Sequence, residues 1–537
     1  MKGFRFSYRD TSFFSDFICD YIEGENNLKE FYGRNPNLKS FLDQIKDKGI
    51  EYPENSRKIL FKILKQQYKR INNLSKDVKN NIEAIASPKT FVITTAHQLN
   101  ILTGPMYFIY KIISAINLCK VLAKTYPQYN FVPIYWMATE DHDFDEISNF
   151  SFKGINFKWE RENAGSVGDF SLVGLKEVFD LYFNNLGQSP NSKKIKELVE
   201  KSYLSSNNLS NATRAIVNEI FGDYGLVVLD PNEKKLKELF IPYLKNEINS
   251  CTCKISVDKT NDLIKKKYNH KYDPQVNPRD INLFFLLEQG RKRIIKNKDG
   301  FILDKTGLKY SKNEILNNIK KYPEKFSPNV LMRPLYQEVI LPNICYIGGS
   351  TELSYWLELK LYFDSQKIIF PIILNRNSAL LLNSKTAKKI NKLNLGYDDF
   401  FLNKDSLIDK KIRQISDLDL DLSFLKESLE NQFKYLQGLV LKTDKSFKGA
   451  VEAQLVKQKK GIDYLEKRLI KAQKKKLSDH VERLKLVYED IFPNGELQER
   501  VVNFTFFYEL YGEKFIQNLI DYFDPLSNEF DVIEFEE

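Results

Sequence analysis

The sequence predicts an α/β protein: a doubly wound parallel sheet with two inserted subdomains, followed by a C-terminal α-helical coiled coil. Three observations predict this fold class. Short apolar runs rich in β-branched and aromatic residues alternate with helical patterns, as in parallel βαβ units. Two long stretches of different character interrupt these units. A heptad pattern of apolar residues then occupies positions 422–491.

Composition limits the classes of protein to which the chain can belong. Its 537 residues, 42% of them apolar, predict about two to four domains. No run of eighteen apolar residues occurs and the N-terminus lacks a signal-peptide pattern, so we expect a soluble, cytoplasmic protein without membrane contact. Five scattered cysteines without zinc or redox spacing predict reduced thiols. The net charge of +10 comes from lysines spread along the chain, and we expect no nucleic-acid partner.

The first βαβ unit is predicted within residues 91–137. Residues 91–95 (FVITT) and 131–137 (FVPIYWM) have the length and composition of buried strands, and the helical pattern between them begins near Gly104-Pro105. Strand, helix and strand in this order predict a parallel pair joined by a right-handed crossover. Runs of the same type at 225–230, 344–347 and 368–374 extend the predicted sheet.

The long stretches between these strands are predicted to be inserted subdomains, because structureless loops of that length are uncommon in compact domains. The predicted division has six parts. They are a first part of the core at 1–150, a first insertion at 151–222, a core strand and helix at 223–245, a second insertion at 246–330, the last part of the core at 331–400, and the coiled coil with a C-terminal helix at 401–537.

Apolar residues in the region 422–491 are spaced alternately by three and four, as in a coiled coil. A polar interruption at 442–448 predicts two antiparallel or broken helices, and the lysines at 457–476 are expected on a solvated face. A last amphipathic helix is expected to end near Tyr522, before a docked or frayed acidic tail. The predicted seam consists of Leu422, Leu425, Leu429, Phe433, Leu436, Val440, Val451, Leu455, Ile462, Leu465, Leu469, Ala472, Val481, Leu484, Tyr488 and Ile491.

An acidic cluster follows the run at 131–137, and six of the seven residues from Glu140 to Glu146 are ionisable. Open parallel sheets bind ligands outside the carboxyl ends of their strands, so we predict a site here. Asp141, His142 and Asp143 could bind a divalent metal, act as general acid and base, or cap the next segment. If the strand continues, Asp141 and Asp143 flank one face while His142 faces the other.

The loop after the first strand, AHQLNILTGP at 96–105, is a candidate anion site. A helix N-terminus presents unpaired N–H groups and a partial positive charge, which suit a phosphate or a carboxylate. His97 stands just upstream of that N-terminus, and the alternative is a histidine that only holds the turn. The loop also supplies Gln98, Asn100, Thr103 and Gly104.

A comparable loop follows the predicted strand at 344–347. Its sequence contains Gly348-Gly349, a helix cap at Ser350 or Thr351, and Glu352 in the first turn. We therefore predict a second anion loop on the same sheet edge.

Upstream of this loop, residues 326–342 supply Arg333, whose guanidinium suits a carboxylate or a phosphate. A packing salt bridge from Arg333 to Glu338 is the alternative interpretation.

A resemblance to a known family rests on four segments: TTAHQLNILTGPMYFIYKIISAI at 94–116, PIYWMATEDHDFDEI at 133–147, FSPNVLMRPLYQEVILPNICYIGGSTELSYW at 326–356 and PNGELQERVVNF at 493–504. Together they closely resemble the BshC family, the cysteine ligases of bacillithiol biosynthesis. That family is similar in fold to class I synthetases. The resemblance implies a Rossmann-like core with two connecting-peptide insertions and a C-terminal coiled coil that forms a homodimer.

The resemblance also implies an activity: an amide bond between the carboxyl of L-cysteine and the amine of glucosaminyl-malate, the last step of bacillithiol biosynthesis. ATP is the usual activator of a carboxyl group, so ATP or ADP is a candidate cofactor, and a metal requirement stays open. Two other hypotheses are an adenylyl transferase or ligase acting on another small carboxylate, and a non-catalytic, nucleotide-binding coiled-coil dimer.

Residues and resemblance together give the candidate site. The catalytic candidates are Asp141, His142, Asp143 and His97. The candidates for binding substrate or nucleotide are Gln98, Asn100, Thr103, Gly104, Glu140, Arg333, Tyr336, Gly348, Gly349, Glu352, Trp356 and Arg376.

Overall fold

The computed structural model describes residues 1–69, 71, 74–161, 165–269, 272–288, 290–440, 442–444 and 446–536. The chain divides into two compact units. One consists of Gly3–Leu380 and Gln498–Asp531 and contains the sheet and both insertions. The other consists of Met1–Lys2, Leu381–Leu497 and Val532–Glu537, and most of its described residues are helical. The predicted class, a parallel-sheet core followed by a helical region, is confirmed.

The strands in chain order are β1 (Lys2–Ser7), β2 (Thr90–His97), β3 (Asn130–Met137), β4 (Asn149–Phe152), β5 (Ile155–Lys158), β6 (Val227–Leu229), β7 (Leu283–Leu287), β8 (Gly290–Asn297), β9 (Gly300–Leu303), β10 (Lys309–Tyr310), β11 (Phe326–Pro328), β12 (Asn343–Gly348), β13 (Ile372–Asn375), β14 (Ser378–Leu382) and β15 (Glu529–Glu534).

The helices before the C-terminal unit are α1 (Asp16–Glu23), α2 (Leu38–Glu51), α3 (Glu54–Tyr68), α4 (Lys76–Ala84), α5 (Tyr107–Thr125), α6 (Phe144–Ile147), α7 (Leu175–Asn185), α8 (Pro190–Val199), α9 (Leu209–Phe221), α10 (Lys234–Ser250), α11 (Thr252–Lys267), α12 (Lys312–Lys321), α13 (Arg333–Ile340), α14 (Ser350–Leu357) and α15 (Lys360–Gln366). They are followed by α16 (Ser384–Lys392), α17 (Lys404–Ile415), α18 (Ser423–Val440), α19 (Ser446–Lys476), α20 (Ser478–Ile491), α21 (Gln498–Val501), α22 (Thr505–Tyr511) and α23 (Lys514–Tyr522).

The central sheet has the order β13-β12-β2-β3-β6, and all neighbouring strands are parallel. The chain builds outwards from β2, first to β3 and β6 on one side and then to β12 and β13 on the other. The strand order therefore reverses between β2 and β12, which is where open α/β sheets bind ligands. The register pairs His97 with Met137 and Gly348 with Asn375, so the carboxyl ends of these strands meet at one edge.

The segments that form the central sheet are continuously apolar, as is typical of strands in a sheet that is covered on both faces. All eight residues of β2 are buried, and α2 and α5 pack on the sheet through a cluster that includes Phe41, Ile93, Leu118 and Ile344. The prediction placed the last strand at 368–374, but β13 begins only at Ile372. Pro371 precedes it, and proline cannot donate a ladder hydrogen bond.

The predicted start of α5 near Gly104 is three residues early. Leu102, Thr103 and Gly104 have φ values of 50°, 65° and 66°, which are left-handed and end any helical path. A side chain at Gly104 would place its Cβ 2.7 Å from Cβ of Asn100, so glycine is required there.

The two insertions have structures of their own. Residues 149–158 form the β4–β5 hairpin, and α7, α8 and α9 follow it. The second insertion contains an antiparallel sheet of order β10-β9-β8-β7-β11. The exact six-part division of the chain stays a prediction.

The coiled-coil region is an antiparallel helix pair continued by a third helix. Lys426 of α18 pairs with Asp463 of α19 at 2.5 Å, and Glu430, one turn further along α18, contacts Lys459, one turn earlier on α19. Most predicted seam residues are buried or half-buried in this region. Leu425, Leu465 and Ala472 are corrections, because these three residues are exposed.

The C-terminal prediction was too simple. Three short helices, α21 to α23, replace the single amphipathic helix, although the last of them ends at Tyr522 as expected. Of the two predicted alternatives for the acidic tail, the docked one is confirmed, because the tail forms β15 with Phe530, Val532 and Ile533 buried. Within the described parts of the chain, no helix combines the length and apolar character needed to cross a membrane. All five cysteines are free thiols.

Candidate active site

A cavity of about 640 Å³ lies at the carboxyl edge of the parallel sheet. The ends of β2, β3 and β12 and the segments that follow them form much of its wall, together with β8 of the second insertion. Its volume is in the range of small-molecule sites. The charged groups that line it are Lys111, Arg291, Arg333, Arg376, Arg500, Glu140, Asp141, Glu146 and Glu352.

Buried Lys111 and half-buried Glu352 form an ion pair on the β12 side of this cavity. The Lys111 ammonium contacts Oε2 of Glu352 and donates to the carbonyl oxygen of Ala96 at 3.0 Å. Glu352 also accepts hydrogen bonds from the Tyr346 hydroxyl at 2.5 Å and the Gly349 amide at 2.9 Å. Burial alone would raise the pKa of Glu352, but Lys111 and these donors outweigh it and lower the pKa to about 2. Glu352 is therefore ionised at neutral pH.

Arg333 is held in place by neutral groups. Its guanidinium donates to Oε1 of Gln337 and to the Tyr355 hydroxyl, each at 3.2 Å, and lies 5.5 Å from the centre of the Tyr346 ring. Among the described residues, no carboxylate oxygen lies within 4.0 Å of it. The alternative salt bridge to Glu338 is not formed. The charge of Arg333 is thus available to an anionic ligand.

Arg376 differs from Arg333, because its charge is already neutralised. It makes a bidentate pair with Glu499, with donor–acceptor distances of 2.6 and 3.1 Å, and both side chains are buried. The next residue, Arg500, is exposed, lines the cavity and lacks a carboxylate partner within the part of the chain that the structure describes.

Asp141 is the centre of the opposite wall. It accepts hydrogen bonds from Nε2 of Gln98 at 3.0 Å and from the His142 amide at 2.8 Å, and Arg291 of β8 lies 3.6 Å away. Burial acts to raise the pKa of Asp141, but the donors and Arg291 outweigh it and hold the pKa well below its usual range. Asp141 is therefore a permanent anion and a poor proton acceptor.

Glu140 points away from Asp141 towards a buried lysine. Its carboxylate contacts the ammonium of Lys237 and accepts from the Ser327 hydroxyl at 3.2 Å. Lys237 also donates to the carbonyl oxygen of Phe326 at 2.9 Å. This pair ties the end of β3 to α10 and β11.

His97 is buried against Tyr107 and Phe108. Its Nδ1 lies 3.0 Å from the carbonyl oxygen of Gln98, and because a carbonyl only accepts, Nδ1 carries the proton. Burial, with the Lys111 charge, lowers the pKa of His97 to about 3. The imidazole is neutral at physiological pH, and Nε2 is an acceptor.

Half of the predicted site residues line the cavity: His97, Gln98, Glu140, Asp141, Arg333, Gly349, Glu352 and Arg376. The others do not line it: Asn100, Thr103, Gly104, His142, Asp143, Tyr336, Gly348 and Trp356.

The placement of His142 and Asp143 corrects the strand-based expectation. β3 ends at Met137, so residues 141–143 lie in irregular backbone before α6 rather than on alternate faces of a strand. The side chain of His142 is 48% exposed and Asp143 is exposed. Only Asp141 of the three contributes to the cavity wall.

The loop before α5 is covered by the C-terminal segment instead of forming an open anion site. Nδ2 of Asn503 donates to the carbonyl oxygens of Leu102 and Gly104 at 2.7 and 2.6 Å, and the Met106 amide donates to the carbonyl oxygen of Val502. Asn100 instead donates to the carbonyl oxygen of Glu146 at 3.1 Å.

Tyr336 and Trp356 belong to the core. The Tyr336 hydroxyl donates to the carbonyl oxygen of Pro231 at 2.7 Å, and Trp356 stacks on Tyr346 at 4.5 Å. Gly348 ends β12, where an added Cβ would lie 3.0 Å from Cβ of Glu352.

Sequence reasoning missed several lining residues: Tyr107, Lys111, Arg291, Tyr355 and Arg500. Lys111 carried a usable signal, because it is the one charged residue between positions 101 and 119. Arg291 and Arg500 carried none, since they reach the cavity from distant parts of the chain. The described residues contain no group of three or more histidine, cysteine or acidic side chains that could hold a metal.

Comparison with known proteins agrees with these observations. The sequence model described as "Bacillithiol biosynthesis BshC, N-terminal Rossmann-like domain" matches residues 1–377, and that described as "Bacillithiol biosynthesis BshC, C-terminal coiled-coil domain" matches residues 379–535. Relatives named "Putative cysteine ligase BshC" from Christiangramia forsetii and Flavobacterium johnsoniae are each 48% identical, and one from Flavobacterium psychrophilum is 46% identical. Each alignment covers 98% of this chain and 98% of the relative.

The acid stability of the sheet-containing unit tests the assignment of His97. The pKa is about 3 in the folded chain and about 6.5 when unfolded, so only the unfolded chain takes up this proton between these values. The stability from neutral His97 is complete above pH 6.5 and is lost as the pH falls towards 3. We expect a loss of roughly 2 kcal/mol between pH 6.5 and 5 from this group. Urea denaturation followed by tryptophan fluorescence measures it, since Trp136, Trp159 and Trp356 all lie in this unit.

The matched control is His97→Phe, which keeps an aromatic ring beside Tyr107 and Phe108. Its stability is expected to depend less steeply on pH than that of the unmodified chain. Equal slopes in the two proteins would contradict the assignment of a neutral, buried imidazole.

Proposed function

The chain belongs to the BshC family of bacillithiol biosynthesis, and from this premise we propose that it is a ligase that joins the carboxyl of L-cysteine to the amine of glucosaminyl-malate, the last step of that pathway. The product contains a new carbon–nitrogen amide bond. The names of the full-length relatives support a cysteine ligase, and the chemistry of the cavity supports the substrates as follows.

The observation that carries the proposal is Arg333, a fixed cation in the cavity without a carboxylate partner among the described residues. The malate part of the acceptor carries two carboxylates, and guanidinium groups bind such groups bidentately. Arg333 is proposed to bind one carboxylate. Tyr107 and Tyr355 complete the same wall.

The opposite wall is proposed to bind amines. Asp141 stays ionised, and Glu146 lies beside it through the shared donor Gln98. A carboxylate that cannot easily be protonated holds an ammonium group or orients an amine rather than removing its proton. His97 adds a neutral acceptor at Nε2. We therefore place Asp141 and His97 in contact with the substrates, and leave His142 and Asp143 outside.

Bond formation requires an activated carboxyl group. The amine nitrogen attacks the carboxyl carbon of cysteine as the bond from that carbon to the activating group breaks, and the leaving oxygen departs with the bonding electrons. The nitrogen then loses one proton to solvent. We propose that ATP supplies this activation.

Arg500 is the residue that fits the phosphates of ATP. It is exposed at the cavity, and no carboxylate of the described chain neutralises it. The starts of α5 and α14 are less suitable, because the Met106 amide already donates to the carbonyl oxygen of Val502 and the Gly349 amide to Glu352.

We further propose that the protein acts in the cytoplasm as a homodimer through its coiled-coil region. The outward faces of α18 and α19 carry exposed apolar side chains: Phe424, Leu425, Tyr435, Val456, Tyr464 and Leu465. Exposed apolar side chains on this pair of helices favour association between copies.

Reconstitution tests the reaction. The purified chain with L-cysteine, glucosaminyl-malate and ATP is expected to form bacillithiol, detected by mass spectrometry, and omission of ATP is expected to abolish it. A strain lacking the gene is expected to accumulate glucosaminyl-malate and to lack the thiol. An unchanged thiol pool in that strain would remove the assignment.

Two neighbouring substitutions test the acidic wall. Asp141→Asn is expected to lower turnover by about a hundredfold, because it removes a charge placed at the reacting groups. His142→Ala is the matched control and is expected to keep turnover within about threefold, because its side chain is outside the cavity. Rates of product formation are measured beside melting curves. If His142→Ala lowers turnover as much as Asp141→Asn does, His142 takes part in the reaction.

Light scattering tests the dimer. The full chain is expected to have twice the mass of one 63.0 kDa chain. Leu465→Glu, at a side chain 58% exposed on α19, is expected to give a monomer. Ile50→Glu, at an 87% exposed side chain of α2, is the control and is expected to leave the mass unchanged. A full-length chain that is monomeric at micromolar concentration would overturn this part of the proposal.

A further inference from the structure

Glu338 is a buried carboxylate that does not line the cavity, yet it is connected to Arg333. It is 1% exposed and follows Gln337 on α13. Gln337 is also fully buried and lies between the two charged residues. Its Oε1 accepts from Arg333 at 3.2 Å, and its Nε2 donates to Oε1 of Glu338 at 3.0 Å. One amide group therefore links the carboxylate to the guanidinium.

Burial raises the pKa of Glu338 to about 7 against the opposing effect of Lys48 and two amide donors, and above that pH its surroundings hold an ionised carboxylate. Two hydrogen bonds and one ion pair reach it: from Nε2 of Gln337 at 3.0 Å, from Nδ2 of Asn343 at 2.7 Å and from the ammonium of Lys48 at 3.7 Å. The first two donate to Oε1 and the ammonium faces Oε2. A neutral amide at position 338 would turn its NH₂ group towards at least one of these donors.

The charge of Glu338 also determines the orientation of Gln337. A carboxylate accepts and cannot donate, so it selects the orientation in which Nε2 of Gln337 faces it. Oε1 then faces Arg333, which can only donate. In the reversed orientation, an NH₂ group would oppose the guanidinium, and Arg333 would lose one of its two hydrogen-bonded supports.

We propose that Glu338 is a positioning residue that orients Arg333 towards the cavity through the amide of Gln337. Glu338 touches neither substrate nor cavity. The effect on substrate rests on the proposed function, in which Arg333 binds a carboxylate of the acceptor. The orientation of Arg333 itself does not depend on that function.

Three variants test the proposal. Glu338→Gln removes the charge that orients the amide, and Gln337→Met removes the amide while keeping a buried side chain of similar length. Thr94→Val is the matched control. It removes the hydrogen bond from the Thr94 hydroxyl to Oδ1 of Asn343, in the same buried cluster, and leaves Gln337 untouched. Gln337→Met keeps the proposal testable if Glu338→Gln does not fold.

Steady-state kinetics with glucosaminyl-malate give the first readout. Glu338→Gln and Gln337→Met are expected to raise KM about tenfold, as for the loss of one charged hydrogen bond, with kcat changed less than about twofold. Thr94→Val is expected to keep both constants. Unchanged KM values in the first two variants, or the same rise in Thr94→Val, would overturn the proposal.

Crystal structures of the unmodified chain and the two variants give a readout that does not depend on the reaction. The Arg333 guanidinium is expected to leave the Tyr355 hydroxyl in both variants. If the unmodified chain forms no product, the proposed function fails, and these structures still decide the present inference. A displaced Arg333 supports it, and an Arg333 that stays on Tyr355 overturns it.

Discussion

The structure depends on the parallel register of five buried strands. Parallel strands need long crossovers whose helices cover the faces of the sheet, so the ends of the strands are where a cavity can open. The register brings His97 beside Met137 and Gly348 beside Asn375. Because the order reverses between β2 and β12, the loops after these two strands diverge and leave room for a ligand. The other residues of the site are arranged around this edge of the sheet.

The second constraint is that charged groups inside a protein need partners. Some charged groups of the cavity have an oppositely charged partner and others do not. Lys111, Glu352, Arg376 and Glu499 are paired inside the protein, where an unpaired charge would be very unfavourable. Arg333 is the contrasting case, since only neutral groups support it. The site thus separates charges that hold the fold from Arg333 and Arg500, whose charges are left for ligands. Asp141 shows the same logic on the other wall, where donors and Arg291 keep it ionised.

Sequence reasoning succeeded where information is local. The strands were predictable because apolar β-branched runs have few other stable arrangements, and the carboxyl edge followed from the βαβ order. Glu352 was predictable because it lies in the first turn of a helix that follows a strand of that edge, and Arg333 because a guanidinium suits an anion. The heptad pattern likewise predicted α18 and α19. It misplaced Leu465, because spacing alone does not determine which face of a helix meets its neighbour.

The rest of the site could not be predicted, because it depends on contacts between distant residues. Arg291 comes from the inserted antiparallel sheet, and Arg500 and Glu499 come from the last part of the chain. The sequence did not distinguish the roles of Asp141 and His142, because that distinction depends on the end of β3 at Met137. Similarly, the sequence of the loop at Gly104 predicted an open helix N-terminus. In the structure Asn503, which is distant in sequence, covers this loop.

The contacts of Asn503 affect how the site forms while the chain is being synthesised. Asn503 closes the loop at Leu102 and Gly104 across 401 residues of chain, and Glu499 reaches Arg376 across 123. Ribosomes add about 5 to 20 residues per second, so the first loop waits roughly 20 to 80 seconds for its partner to be synthesised. During that time the loop at Leu102 and Gly104 lacks the hydrogen bonds from Asn503. The cavity is therefore completed only after Glu499 and Asn503 have left the ribosome, so a chain terminated before these residues would lack a finished site.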